Sequence, residues 1–201
     1  MNTPKLHRHS ELLDDIGQGF INEETIKKWF NDYYSTSKHL YTLYSIVRGL
    51  NAKQVLEIGF GRSTFVLAKA TYENGGMMTC CDLENYSDLL STEESKIVDF
   101  KHGESNLIWE NEICYDFAFL DYFSNEKISV YTCYNEIRKC LKKMKTNGIL
   151  AIHDTNVNKY SINRAIRLVK IFKNIEYATL PYNYGLCLIR FTGKSEYGTL
   201  S

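Results

Sequence analysis

Only two prolines, Pro4 and Pro181, occur in 201 residues, and no Pro/Gly/Ser-rich stretch separates one part of the chain from another. Nothing therefore marks an interdomain linker, and there is no internal repeat or low-complexity tract. The formal net charge is zero, which leaves no electrostatic case for nucleic acid or an anionic membrane as partner. No apolar run approaches the roughly 18 residues of a membrane span. The opening MNTPKLHRHSELLDD is polar and lacks an apolar signal core. Secretion is not expected, and a cytoplasmic location is. The six cysteines (Cys80, Cys81, Cys114, Cys133, Cys140 and Cys187) form no C-x-x-C pair. They read as reduced thiols, mostly buried, rather than a disulfide framework or a zinc site.

What is present suits one sizeable core: 44% of residues are hydrophobic and 24% charged. A single domain is expected, with residues 1–50 as a helical extension and 51–201 as the main body. In the extension, Leu40, Leu43, Tyr44, Val47 and Leu50 recur at helical spacing after the caps Ser35, Thr36 and Ser37. Short apolar runs then alternate with amphipathic stretches. Strands are expected at 54–58, 77–83, 97–102, 115–121 and 148–154. Helices are expected at 63–72, at about 126–145, and over the stripe Ile162, Ile166, Val169 and Phe172. The chain closes on two strands without a helix between them, IEYATLPY and GLCLIRF. Such alternation predicts a mostly parallel α/β sheet with helices on both faces and an antiparallel hairpin at its C-terminal end. Ligands bind such sheets beyond the carboxyl ends of the strands, so residues that end strands matter most.

The first strand runs into Gly59-Phe60-Gly61. Glycines between strand and helix let a ligand approach the main chain, and the next helix offers free N–H groups. A dinucleotide fingerprint needs a third glycine where Thr64 stands, and a P-loop needs a lysine that Arg62-Ser63-Thr64 does not supply. A ligand with a ribose and no phosphate remains. Asp82 ends the second strand and can accept from ribose hydroxyls. His102-Gly103-Glu104-Ser105-Asn106 follows the third, where polar groups could read an adenine edge.

This succession of glycine loop, strand-ending acid and polar cluster resembles the class I S-adenosylmethionine-dependent methyltransferases over roughly residues 36–191. The resemblance implies a Rossmann-like seven-stranded sheet. It implies that Glu57, Gly59 and Gly61 line the methionine end of the cofactor, Ser63 lies near its carboxylate, Asp82 binds ribose, and Ser105 and Asn106 flank adenine. Phe60, Leu83, Glu104 and Asp121 complete the implied cofactor set.

Two further strand-ending acids, Asp121 and Asp154, would point into one crevice, and oxygen ligands suit Mg²⁺ or a similar divalent cation. This spacing resembles the catechol-type O-methyltransferases and the branch acting on sugars of natural products. By that resemblance Asp121 and Asp154 are metal ligands, and Thr155 stands where an asparagine ligand is expected. The catechol type has a lysine where Ser124 stands, and the sugar branch a histidine within Tyr122 to Asn125. The base that those branches use is thus missing; His153 could serve as base, bind the metal or be a structural histidine of its strand, and Asp121, His153 and Asp154 are the expected catalytic set. The implied activity is O-methylation of a small hydroxylated metabolite. The alternatives are a metal-independent transfer to nitrogen or another acceptor, and a non-catalytic cofactor-binding partner protein. Tyr33, Tyr34, His39 and Tyr41 are further residues to test, because N-terminal helices often cover the cofactor in this family. The sequence leaves a homo-oligomer open.

Overall fold

In a parallel sheet covered on both sides, the strands are apolar throughout rather than alternating. Phe117 to Leu120 follow that pattern, and Val55 to Ile58 do so except at Glu57; both runs are buried without interruption. The computed structural model describes residues 16, 19–32, 36–122, 128–157, 160–171 and 174–193. The expectations for the N-terminal 15 residues, Tyr33, Tyr34, Ser35, Ser124 and Phe172 lie outside these.

The strands are β1 (Gln54–Ile58), β2 (Met77–Asp82), β3 (Val98–His102), β4 (Tyr115–Leu120), β5 (Met144–His153), β6 (Ile175–Leu180) and β7 (Leu186–Phe191). They form one sheet in the order β3-β2-β1-β4-β5-β7-β6. All pairings are parallel except those of β7, which runs antiparallel to both β5 and β6. The reversed strand is therefore inserted one place in from the edge. Strand order reverses between β1 and β4, so the crevice at their carboxyl ends is the switch point of the sheet.

The helices are α1 (Glu23–Asn31), α2 (Leu40–Gly49), α3 (Arg62–Glu73), α4 (Asn106–Trp109), α5 (Val130–Lys142) and α6 (Ser161–Val169). Leu43, Val47, Leu67 and Ala70 of α2 and α3 join one core against the sheet. Ile137, Leu141, Ile162 and Ile166 of α5 and α6 join the other. The N-terminal segment packs on the start of α3: Trp29 meets Phe65 edge-on at 6.1 Å, and Arg62 bonds Asp32 at 2.6 Å and Ser37 at 3.1 Å. Ser37 thus accepts from Arg62, and Thr36 makes no side-chain cap bond.

The long helix expected to reach Lys145 stops at Lys142. Met144 fits the helical stripe, yet it pairs with Tyr115 at the start of β5. Asn147-Gly148, a pair that usually stops a helix, sits inside β5, where the register with β4 shifts and Asn147 takes φ 68°. A side chain at 148 would meet the Lys145 and Asp116 carbonyls at 2.9 and 3.1 Å. Cross-strand pairing, invisible to local periodicity, overrides the helical pattern here. Among the described residues no helix is long and apolar enough to cross a membrane. All six cysteines are free thiols; five are buried and Cys114 is exposed.

Candidate active site

The two glycines of the first loop do different work. Gly59 has φ 102°, and a Cβ there would lie 2.5 Å from the main-chain oxygen of Asp121. The ends of β1 and β4 approach too closely for any side chain, while Asp121 N–H donates to the Ile58 carbonyl at 2.9 Å. Gly61 is extended at φ −176°, and a Cβ there would meet nothing within 4 Å. Open space thus lies beside Gly61, at the start of α3. The second strand braces the same loop. Asp82 accepts from Phe60 N–H at 2.8 Å through one oxygen and from Glu84 N–H at 2.9 Å through the other. This fixes the carboxylate at the rim and leaves further lone pairs on each oxygen. Leu83 beside it is 68% exposed.

Glu57 is fully buried below the loop. One carboxyl oxygen accepts from Ser63 Oγ at 2.5 Å, and the thiol of Cys80 lies 3.6 Å from the other. Where the resemblance expects it to line the cofactor, its carboxyl is turned inward and holds the loop from beneath. Ser63 is nearly as buried, with its hydroxyl turned down to Glu57. Burial pushes the Glu57 carboxyl up to about 8, against hydrogen bonds from Ser63 and Thr64. The acid is neutral in the fold at pH 7 and ionised in the unfolded chain, whose pKa is near 4.5. Its contribution to stability is therefore complete below pH 4.5 and declines as pH rises toward 8. Replacing Glu57 by Gln removes that titration. Urea unfolding should show the variant gaining on the wild type between pH 5 and pH 8, by a few kcal/mol at about 1.4 kcal/mol per pH unit. A constant difference across that range would refute the assignment.

At the next strand end, Glu104 and Asn106 are exposed and Ser105 is half-buried. The Ser105 hydroxyl, expected to flank adenine, is engaged within the protein. It donates to Glu136 of α5 at 2.5 Å, where Trp109 Nε1 at 2.9 Å and Tyr122 Oη at 3.1 Å converge on the same oxygen. Burial acts to raise the Glu136 carboxyl, but Lys139 and these donors outweigh it and hold it below the ordinary carboxylate range. Glu136 thus ties the β3–α4 loop to the end of β4. Sequence reasoning missed it; the available signal was a single acid among Cys133, Ile137 and Cys140 on the buried stripe of α5.

Asp121, His153 and Asp154 come together beyond β4 and β5, with one potential ligand atom from each lying within 4.8 Å of the others. His153 Nδ1 lies 2.9 Å from Asp121 Oδ1 and 3.4 Å from Asp154 Oδ1. Its Nε2 lies 3.0 Å from the Asn183 carbonyl, which only accepts, so Nε2 carries a proton. Nδ1 therefore faces two carboxylates across a short gap, which a proton on Nδ1 or a metal cation would fill. Burial alone would lower the His153 pKa; the Asp121 carboxylate, then Asp154, outweigh it and raise it. Asp154 itself has φ 61°, a conformation that Asp and Asn tolerate better than other non-glycine residues.

The β6–β7 turn closes over this cluster. Asn183, Tyr184 and Gly185 all have positive φ, at 36°, 66° and 85°. The Tyr184 carbonyl accepts from Asn156 N–H at 2.6 Å. His39, from the N-terminal segment, donates Nε2–H to the Tyr182 carbonyl at 2.9 Å, and its ring meets His153 edge-on at 5.5 Å. Burial, with His153 nearby, holds His39 down to about 4, so it is neutral at pH 7. Its Nδ1, the Thr155 hydroxyl and the Asn183 amide nitrogen are all buried without a hydrogen-bond partner. Buried polar groups without partners are uncommon in folded proteins; His39 Nδ1 and the Asn183 amide belong to the segments that cover the cluster, and Thr155 to the loop after β5. Thr155, expected as a metal ligand, is buried and lies against Gly185, while His153 joins the two acids.

No family model matches the sequence, and no curated protein matches it. Solved structures do. The O-methyltransferase TomG from Streptomyces achromogenes, involved in tomaymycin synthesis and solved with S-adenosylmethionine, matches at TM-score 0.64 and 15% identity. The match covers 96% of this chain and 100% of that one. The Podospora anserina methyltransferase PaMTH1, bound to S-adenosylhomocysteine, matches at 0.63 and 15%, over 96% and 98% of the two chains. An O-methyltransferase from Bacillus cereus, also with S-adenosylhomocysteine, matches at 0.62 and 17%, over 94% and 92%. These likenesses establish a common fold across nearly the whole chain: the Rossmann-like, seven-stranded sheet with its reversed penultimate strand.

Proposed function

We propose that the protein is an S-adenosylmethionine-dependent methyltransferase acting on the hydroxyl of a small molecule. The observation that carries this is the switch-point crevice, with open space at Gly61, the braced carboxylate of Asp82 on one side and the Asp121–His153–Asp154 cluster on the other. Its fold neighbours solved with S-adenosylmethionine or its demethylated product support the reading. The cofactor would supply a methyl group on a positively charged sulfur. What the protein must add is alignment of the acceptor and exclusion of water; orientation alone is worth on the order of 7–11 kcal/mol. Asp82 would hold the ribose, the first turn of α3 the carboxylate end, and the β3–α4 loop, steadied by Glu136, the adenine. The β6–β7 turn and His39 would roof the acceptor side.

The cluster fits a divalent cation. Two carboxylates and an imidazole whose Nε2–H is already engaged leave Nδ1 free to ligate, and a nitrogen donor favours Mn²⁺, Fe²⁺ or Zn²⁺ over Mg²⁺. When bound, the metal would lower the pKa of an acceptor hydroxyl. A second reading, transfer without metal, is favoured by the 2.9 Å separation of Nδ1 and Asp121, the length of a charged hydrogen bond. There the imidazolium itself would balance the two acids and orient the acceptor.

Calorimetry with S-adenosylhomocysteine tests the pocket. The expected result is one site with Kd in the range of about 1–100 μM; absence of binding to the folded protein would remove both readings. Methyl transfer to hydroxylated acceptors assayed with and without EDTA separates them. Activity lost to EDTA and restored by Mn²⁺ supports the metal; activity indifferent to EDTA supports the imidazolium.

A further inference from the structure

Between α6 and the β6–β7 pair, beside the β5–α6 loop, lies a cavity of about 220 Å³. Its lining includes Arg167 on α6 and Lys170, which caps the end of that helix, with Asn156, Asn163, Thr155 and Thr179, and no acid among the described residues. Among the described residues neither cation makes a salt bridge. Lys170 is steered from one side by the Tyr177 ring, 4.1 Å from its ammonium. Thr155, 7% exposed, contributes a buried hydroxyl with no hydrogen-bond partner. Cys187, also in the lining, is kept protonated by burial and adds no negative charge.

Two cations without a salt bridge, two amides and an unsatisfied hydroxyl around a hollow that no acid lines make a donor-rich site among the described residues. We infer that this cavity binds a tetrahedral oxyanion, either inorganic phosphate or the phosphate of a small metabolite. Arginine's planar fork matches two phosphate oxygens at once, and lysine adds a mobile point charge. A water occupies about 30 Å³ of liquid, so the hollow has room for a short carbon skeleton beside the oxyanion. The site stands apart from the methyl-transfer reading, although its wall is the loop that carries Asp154.

The test is calorimetric titration of the full chain with inorganic phosphate and, separately, glycerol 3-phosphate, at fixed ionic strength. One saturable site with Kd below about 1 mM is expected for at least one of them. Arg167→Gln with Lys170→Gln should weaken it at least tenfold. Arg164→Gln removes an exposed charge from the same helix outside the lining and should leave it unchanged. Tighter binding of glycerol 3-phosphate would identify an organic phosphate as the occupant; equal binding would identify the free anion. No saturation by about 10 mM of either ligand, or equal weakening by Arg164→Gln, would overturn the proposal. S-adenosylhomocysteine titration of the same samples keeps a failure here separate from a failure of the methyltransferase reading. Thermal melts confirm that each variant is folded.

Discussion

Gly59→Ala should destabilise the protein by at least about 3 kcal/mol, read as a shift of the urea midpoint. Two causes act together. Alanine at φ 102° is strained, and its Cβ would sit 2.5 Å from the Asp121 main-chain oxygen. That oxygen belongs to the sheet end and cannot move aside without opening the β1–β4 junction. Gly61→Ala, two residues away, should leave the midpoint within about 0.5 kcal/mol, because its backbone is extended and its Cβ would enter open space. If that space holds the cofactor, Gly61→Ala should instead weaken S-adenosylhomocysteine binding. Two neighbouring glycines, one failing in stability and the other in affinity, would separate structural need from ligand contact. A stable Gly59→Ala protein would mean the junction is looser than described.

Asp154→Asn should lower methyl transfer by about 10²–10³-fold while S-adenosylhomocysteine affinity stays within about threefold. Asparagine is the informative replacement, since it tolerates φ 61° and keeps the shape while removing the charge. An alanine there would mix strain with lost chemistry. The variant also distinguishes the two states of the cluster. If a metal sits between Asp121, His153 and Asp154, excess Mn²⁺ should recover part of the activity, because the amide oxygen is a weaker ligand. If the imidazolium fills the gap, Mn²⁺ should recover none. Full activity in Asp154→Asn would remove Asp154 from the catalytic set.

The reach of sequence reasoning differs between parts of this chain for identifiable reasons. The strand ends were legible because a buried parallel strand is an unbroken apolar run, and Asp82, Asp121 and Asp154 each interrupt one. The β1–α3 glycines were legible as a pair, but their division of labour was not. Whether a Cβ meets Asp121 or open space depends on how closely β1 and β4 approach. Glu57 looked like a ligand-facing acid by position, yet its carboxylate turns inward to Ser63 and Cys80. Glu136 was marked only as an acid on an apolar stripe, and neither its bonds to Ser105 and Tyr122 nor that of the Asn183 carbonyl to His153 could be anticipated, since the partners lie elsewhere in the chain.

Local pattern alone thus determined the α/β alternation, the glycine loop and the acids that end β2, β4 and β5, because burial and turn formation leave their mark on neighbouring residues. Only the tertiary structure decided that β7 inserts between β5 and β6, that His153 lies between Asp121 and Asp154, and that His39 and the β6–β7 turn cover them. Those facts arise from contacts between segments more than a hundred residues apart in some cases, such as His39 with Tyr182. No short stretch of sequence encodes such contacts, because their free energy exists only once the sheet has closed.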